Sequence, residues 1–275
     1  MQDDHGNNSQ DTGLSRASMA DPFDQSRSTF PDHFSGNAAG YATYRPAYPD
    51  AFVAAIAALA PGRTLAWDCA TGNGQAARLL AAHFDRVIAT DASAEQIENA
   101  VPHARVQYRV GREDSSGAER QSVDVVTVAT ALHWLDLQRF YDEVRRVLLP
   151  GGVIAAWGYG YPSVSPEIDT VIHWFGRERI ARYWPPERYH LESGFRDLVF
   201  PFEEIPFGER TMTVRLSREQ FTGYVDTWSA VARSRRHETA DAIDEFRERI
   251  SRHWSGDELL DVTWPLYSRI GRVPG

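Results

Sequence analysis

The sequence predicts an α/β fold: a doubly wound, mostly parallel sheet with helices on both faces. Two observations predict it. Short apolar runs such as "VDVVTVA" and "GGVIAAW" alternate with amphipathic stretches of helical period. Strands that are apolar throughout belong in sheets buried on both sides. The first strand also runs into a cluster of small residues, "LAWDCATGNGQAARLL", and a strand, glycine turn and helix in that order usually hold a nucleotide-like ligand.

The elements follow in order. Residues 1–33 are rich in Asp, Asn, Gln, Ser and Gly without apolar periodicity, the composition of a flexible leader. The folded domain is expected over 34–275, opening with an aromatic cap over 34–50, "FSGNAAGYATYRPAYP" at its centre. A helix follows with Phe52, Val53, Ile56 and Leu59 on one face, ended by Pro61-Gly62. Strand Thr64–Cys69 leads to helix Gly74–His83, strand Arg86–Thr90 to helix Ser93–Ala100, and strand Val106–Val110 to the loop "GREDSSG". Strand Val123–Ala129 leads to helix Asp136–Leu148, and Pro150-Gly151-Gly152 turns into strand Val153–Trp157. Residues 158–204 break the rhythm with Trp, Tyr, Arg and Pro, as an insert on the substrate side would. "RTMTVRL" reads as a strand, Arg218 starts a helix, another lies near Ala240–Trp254, and "DVTWPLYSRI" closes the chain as a strand.

Composition bounds the function. The 275 residues are 42% hydrophobic and 12% aromatic, enough to bury a real core. A net charge of −9 argues against a nucleic-acid partner. The single cysteine, Cys69, suits a reducing compartment and excludes an internal disulfide framework. No apolar run reaches the roughly 18 residues that span a bilayer, and the N-terminus lacks a secretory signal pattern. A cytoplasmic protein, monomeric or homodimeric and without a membrane partner, is expected. No His, Cys, Asp and Glu set has metal-ligand spacing, so no metal is expected. A G-x-S-x-G elbow is absent.

Gly72 to Ala77 satisfies the pattern G-x-G-x-x-G/A, and Asp91 ends the next strand, which is nominally a dinucleotide fingerprint. Asp68 argues against that ligand. A pyrophosphate at this turn would lie beside a carboxylate in a partly desolvated cleft, where like charges repel most. S-adenosylmethionine, which carries an ammonium and a sulfonium, would find Asp68 favourable. Small residues at Ala70, Gly72 and Gly74 let the backbone approach such a ligand, and Asp91 is placed to accept both ribose hydroxyls. Each acid also has a plainer reading: Asp68 as a turn former, Asp91 as a helix cap that Ser93 could replace.

From Tyr41 to Trp157 the chain resembles the class I S-adenosylmethionine-dependent methyltransferases, of the branch related to trans-aconitate methyltransferases. The motif D-x-G-x-G-x-G is carried by Asp68, Ala70, Gly72 and Gly74, with Asp91, Ser93 and Gln96 after the second strand. "GREDSSG" matches the loop beside adenine, "ALHWLD" the segment after the fourth strand, and "LLPGG" the turn before the fifth. Tyr41, Tyr44, Arg45 and Pro46 resemble the N-terminal cap, and "RYWPPER", "GFRDLVFPF" and "WPLYSRIGR" extend the likeness to about Val273.

The resemblance implies a Rossmann-like, seven-stranded sheet and S-adenosylmethionine as cofactor. It implies cofactor contacts from Tyr41, Tyr44, Arg45, Asp68, Ala70, Gly72, Gly74, Asp91, Ser93, Gln96, Glu113, Asp114 and Ala129. Glu113 or Asp114 would meet the adenine amine, although two acids in a loop are often only solvated. Ala70 stands where the family has its first glycine, so its backbone is expected to be open to alanine. His133 is the catalytic candidate, as cofactor contact or general base, or else a histidine bonded to backbone. Trp134, Tyr159, Trp184 and Arg188 are expected on the substrate side. Arg177, Arg179, Arg182, Arg188 and Arg196, set among aromatics, suggest an acidic or planar small molecule. The expected reaction is methylation of a small molecule, with O-methylation of a carboxylate first. The alternatives are O- or N-methylation of a hydrophobic or aromatic metabolite with His133 as base, and a non-catalytic cofactor-binding protein.

Overall fold

The computed structural model describes residues 44–274. The leader, most of the cap and Tyr41 lie outside the described residues. Helix α1 (Asp50–Leu59) precedes strand β1 (Leu65–Cys69), and α2 (Gln75–Leu80) leads to β2 (Arg86–Asp91). Helix α3 (Ala94–Glu98), β3 (Val106–Val110), β4 (Val123–Ala129), α4 (Leu137–Val147) and β5 (Leu148–Tyr159) complete the alternating half. These five strands are parallel in the spatial order β3-β2-β1-β4-β5.

Alternation along each strand sorts side chains into two layers. Ala66, Val87, Val125, Ala155 and Trp157 face one core with Phe52 and Ile56 of α1. Trp67, Ile88, Val126, Val128 and Ile154 face the other, with Phe140 and Val144 of α4. Burial on both faces is what makes β4 apolar at nearly every position.

Several boundaries shift from the sequence expectation for local reasons. Gly74 takes φ +86° as the residue before α2, and Ser93 caps α3 through the Gln96 N–H at 3.3 Å, so both helices begin later and are shorter. Asp136 caps α4 instead of starting it. Pro150 to Gly152, expected as a turn before the fifth strand, lie within β5 at a register shift against β4, with Gly151 at φ +74°.

The segment expected on the substrate side follows. Helix α5 (Pro166–Trp174), capped by Ser165, runs into a π-helical turn (Phe175–Arg179), a 3-10 turn (Ala181–Tyr183) and helix α6 (Arg188–Glu192). Strands β6 (Glu203–Glu204) and β7 (Arg210–Leu216) precede helices α7 (Arg218–Asp226), α8 (Ser229–Ser234) and α9 (Ala242–Ile250). Strand β8 (Leu260–Arg272) closes the sheet antiparallel to β5. Both β6 and β7 pair with the outer side of β8. The expected seventh strand position is thus filled in two pieces, split where Pro206 cannot donate to the ladder and Gly208 turns at φ +71°. Phe175 packs 4.8 Å from Phe246, which joins the insert to the C-terminal helices. No helix among the described residues is long and apolar enough to cross a membrane.

Candidate active site

The glycine turn sits at the carboxyl ends of β1 and β2, where open α/β sheets place their ligands. Asp68 is fully buried at the end of β1, and the Thr127 and Thr71 hydroxyls donate to its two oxygens at 2.6 and 2.5 Å. Burial pushes its carboxyl up to about 6, against the pull of those two hydrogen bonds. Asp91 accepts the Gly72 N–H and the Ser93 N–H, both at 2.8 Å, so one carboxylate ties the turn to the start of α3. The buried Gln96 amide lies beside Gly72. Glu113 is also buried, 3.6 Å from Arg112, whereas Asp114 pairs at 3.3 Å with Arg139 nearer the surface. Burial, then the charges of Asp68, Glu113 and Asp91, push the Cys69 thiol well above its ordinary range. Three carboxylates therefore bear on the end of β1.

The turn corrects one expectation. Ala70 adopts φ +53°, beside Gly72 at +57° and Gly74 at +86°. Its backbone is left-handed and not open to alanine, a conformation that costs an L-residue about 1 kcal/mol. Gly74 permits no side chain, because a Cβ there would lie 2.3 Å from the Tyr108 hydroxyl.

Across the end of β4 lies a pocket enclosing about 660 Å³, part of it open to solvent. Of the residues expected on the substrate side, Trp134, Tyr159, Trp184 and Arg188 all line it, together with His133 and Arg45. Of the cap residues expected to contact the cofactor, Arg45 donates from Nη1 to the Tyr159 hydroxyl at 2.7 Å and from Nη2 to the Thr227 carbonyl at 3.3 Å. Tyr44 packs against Gly223 of α7 and is partly exposed. Ala129 ends β4 next to the pocket.

His133 lies in a 3-10 turn (Leu132–Trp134), its ring 4.7 Å from Trp134 and 6.0 Å from Phe195. Burial, with the nearby charges of Arg188 and His190, lowers its pKa to about 3. Its buried Nδ1 has no hydrogen-bond partner, so the backbone-bonded reading finds no support at that atom. The ring is neutral at physiological pH.

The arginine cluster separates on folding. Arg179 is bound by Glu238 and Glu245, Arg182 by Glu238, Arg196 is exposed, and the exposed Arg177 lies 5.4 Å from the Tyr161 ring centroid, leaving Arg188 as the member that lines the pocket. Sequence reasoning missed Thr130, Tyr161, Tyr224 and Trp228, which also line it. Thr130 carries φ +57°, rare for a β-branched residue and a mark of functional sites. Its hydroxyl meets that of Tyr48 at 2.8 Å. No pattern in the sequence signals this pair, 82 residues apart.

Comparisons with known proteins decide the family. Residues 67–156 match the family model described as a methyltransferase domain. A methyltransferase by name from Dictyostelium discoideum is 32% identical over 248 residues, which cover 86% of this chain and 94% of that protein. A yeast protein from Saccharomyces cerevisiae, named as an S-adenosylmethionine-dependent methyltransferase, is 30% identical over 50% of this chain and 51% of its own. A solved structure from Anaeromyxobacter dehalogenans, named as a type II methyltransferase, superposes with TM-score 0.80 at 43% identity, over 84% of this chain and all of that one.

The chain belongs to the class I S-adenosylmethionine-dependent methyltransferases.

The residues of this methyltransferase fit the cofactor. Asp68, Asp91 and Glu113 set a negative potential at the strand ends, which suits a ligand carrying an ammonium and a sulfonium and repels a pyrophosphate. Ala70, Gly72 and Gly74, all at positive φ, place small residues in the turn where such a ligand would approach. Among the described residues no group of three metal-ligating side chains comes together.

Proposed function

We propose that this methyltransferase methylates a carboxylate oxygen of a small-molecule acid, and that Asp91 with the Ala70–Gly74 turn holds the cofactor. The observation that carries the acceptor class is the charge of an aromatic pocket whose described lining holds two guanidiniums, Arg45 and Arg188, and no Asp or Glu, Glu192 meeting Arg188 at its Nε from outside that lining. When bound, S-adenosylmethionine supplies an electrophilic methyl group on a sulfonium. The chain itself supplies position and dryness. Arg188 binds and orients the anion through charge-assisted hydrogen bonds, while Trp134, Trp184 and Trp228 exclude water from around it. An ionised carboxylate has no proton to lose at neutral pH, so no base is required. A histidine held neutral down to about pH 3 is poorly matched to general-base work and suits a hydrogen-bonding role. The likeness to trans-aconitate methyltransferases supports the same class, and the charge of −9 supports an enzyme without a nucleic-acid partner.

The test is incubation with methyl-tritiated cofactor and a panel of small carboxylic acids and phenols. Label that alkali releases as methanol, formed only with the acids, supports the reading. Alkali-stable label on phenols or amines, with none on acids, overturns it in favour of hydroxyl or nitrogen methylation.

A further inference from the structure

Arg188 lies against two rings set 81° apart, its guanidinium carbon 3.9 Å from the Trp184 centroid and 4.8 Å from that of Tyr161. Trp184 is fixed in turn, since its Nε1 donates to the Gly176 carbonyl at 2.8 Å. The Arg188 Nε lies 3.3 Å from Glu192, which sets the outer edge of the guanidinium. Arg45, the other cation in the lining, is engaged by the Tyr159 hydroxyl and the Thr227 carbonyl and lies 5.4 Å from the Tyr224 ring centroid. The rest of the wall is aromatic: Trp134, Tyr159, Tyr161, Trp184, Tyr224 and Trp228. Two cations thus face the cavity among aromatic surfaces, and Arg188 is the one set against Trp184.

We propose that the acceptor is a planar monocarboxylic acid, aromatic or conjugated, whose one carboxylate pairs with Arg188 and whose flat body lies against the rings beside it. A guanidinium and a carboxylate pair in one plane, and conjugation extends that plane over Trp184, where offset stacking adds attraction, while Tyr161, set at 81° to Trp184, meets its edge. Second and third carboxylates would be stripped of water against aromatic walls with only Arg45, whose Nη atoms already donate to Tyr159 and Thr227, to meet them, which is unfavourable. This rests on the carboxylate reading above and narrows it to acids with a single charge, unlike the tricarboxylate that names the branch.

The experiment compares benzoate, cinnamate, cyclohexanecarboxylate and trans-aconitate as acceptors. Each is also titrated by calorimetry into the protein loaded with S-adenosylhomocysteine, which reads acid binding without turnover. Benzoate or cinnamate is expected to exceed both other acids at least tenfold in kcat/KM and in affinity. Arg188→Gln should raise KM for the preferred acid about ten- to a hundredfold with a smaller change in kcat, and Arg188→Lys should recover part of it. Trp184→Leu should narrow the gap between benzoate and its saturated analogue. Ester formed on trans-aconitate as efficiently as on benzoate, or equal affinity for the flat and saturated rings, overturns the inference and leaves the carboxylate reading standing. An absence of ester from every acid removes both.

Discussion

At Ala70 the chain accepts a conformation that glycine would adopt without strain. Replacing Ala70 with Gly removes that strain, offset by the greater freedom of glycine in the unfolded chain. The expected outcome is a gain of up to about 1 kcal/mol, or a rise in Tm of about 2–4 °C. Cofactor affinity should be equal or tighter. A fall in thermal stability by calorimetry would show that the Ala70 methyl packs usefully despite its backbone. His133 makes the complementary case, a titratable group that burial holds neutral. Its folded pKa of about 3 lies below the ordinary 6.5, so between those values the unfolded chain binds a proton that the native one refuses. Its stabilising contribution is full above pH 6.5 and is lost as pH falls toward 3, by up to about 2 kcal/mol at pH 5. Urea midpoints for wild type and His133→Asn at pH 7.5 and pH 5 test this: the variant should lose less on acidification. Equal losses would mean that His133 is solvated in the native state.

At the scale of elements, the alternating half was legible in the sequence because its signals are local. Strands β3 and β4 coincide with the expected strands Val106–Val110 and Val123–Ala129, and the glycine turn follows β1 directly. What stayed hidden is the pocket proposed for the acceptor. It gathers the segment around Arg45, the end of β4, the loop after β5, α6 and the α7–α8 junction, and no single stretch carries its pattern. Arg188 could be named but not separated from Arg179, because the pairing of Arg179 with Glu238 and Glu245 appears only on folding. Short caps also escaped a period-based reading, so Ser93 and Asp136 entered helices that they only begin. The segment just before α1 gives a direct test. Arg45 holds the Tyr159 hydroxyl, and Tyr48 meets Thr130 while packing edge-on against Trp157 at 5.5 Å. Deleting residues 1–31, whose composition offers little to a core, should leave a folded protein that binds cofactor. Deleting through Pro49 removes both contacts and should abolish turnover. Circular dichroism and cofactor titration on both truncations decide it, and unfolding of the shorter one would move the domain boundary toward the N-terminus.

The whole molecule places two differently charged sites side by side at one end of a sheet. The carboxylates near β1 and β2 suit a cationic cofactor, and the Arg188 pocket beyond β4 suits an anionic acceptor. His133 lines the same pocket; the fold keeps it neutral, and the carboxylate reading leaves it without a proton to remove. The central claim is therefore that the acceptor arrives already ionised and that transfer depends on position instead of proton abstraction. The most direct measurement is the single-turnover rate of His133→Asn against wild type, with saturating cofactor and the preferred acid at pH 7.5. The variant keeps a polar side chain at the same place but cannot act as a base. A rate within about threefold of wild type is predicted, since only packing changes. A loss of a hundredfold with cofactor binding intact, the size expected on removing a general base, would contradict the account and assign the acceptor a hydroxyl.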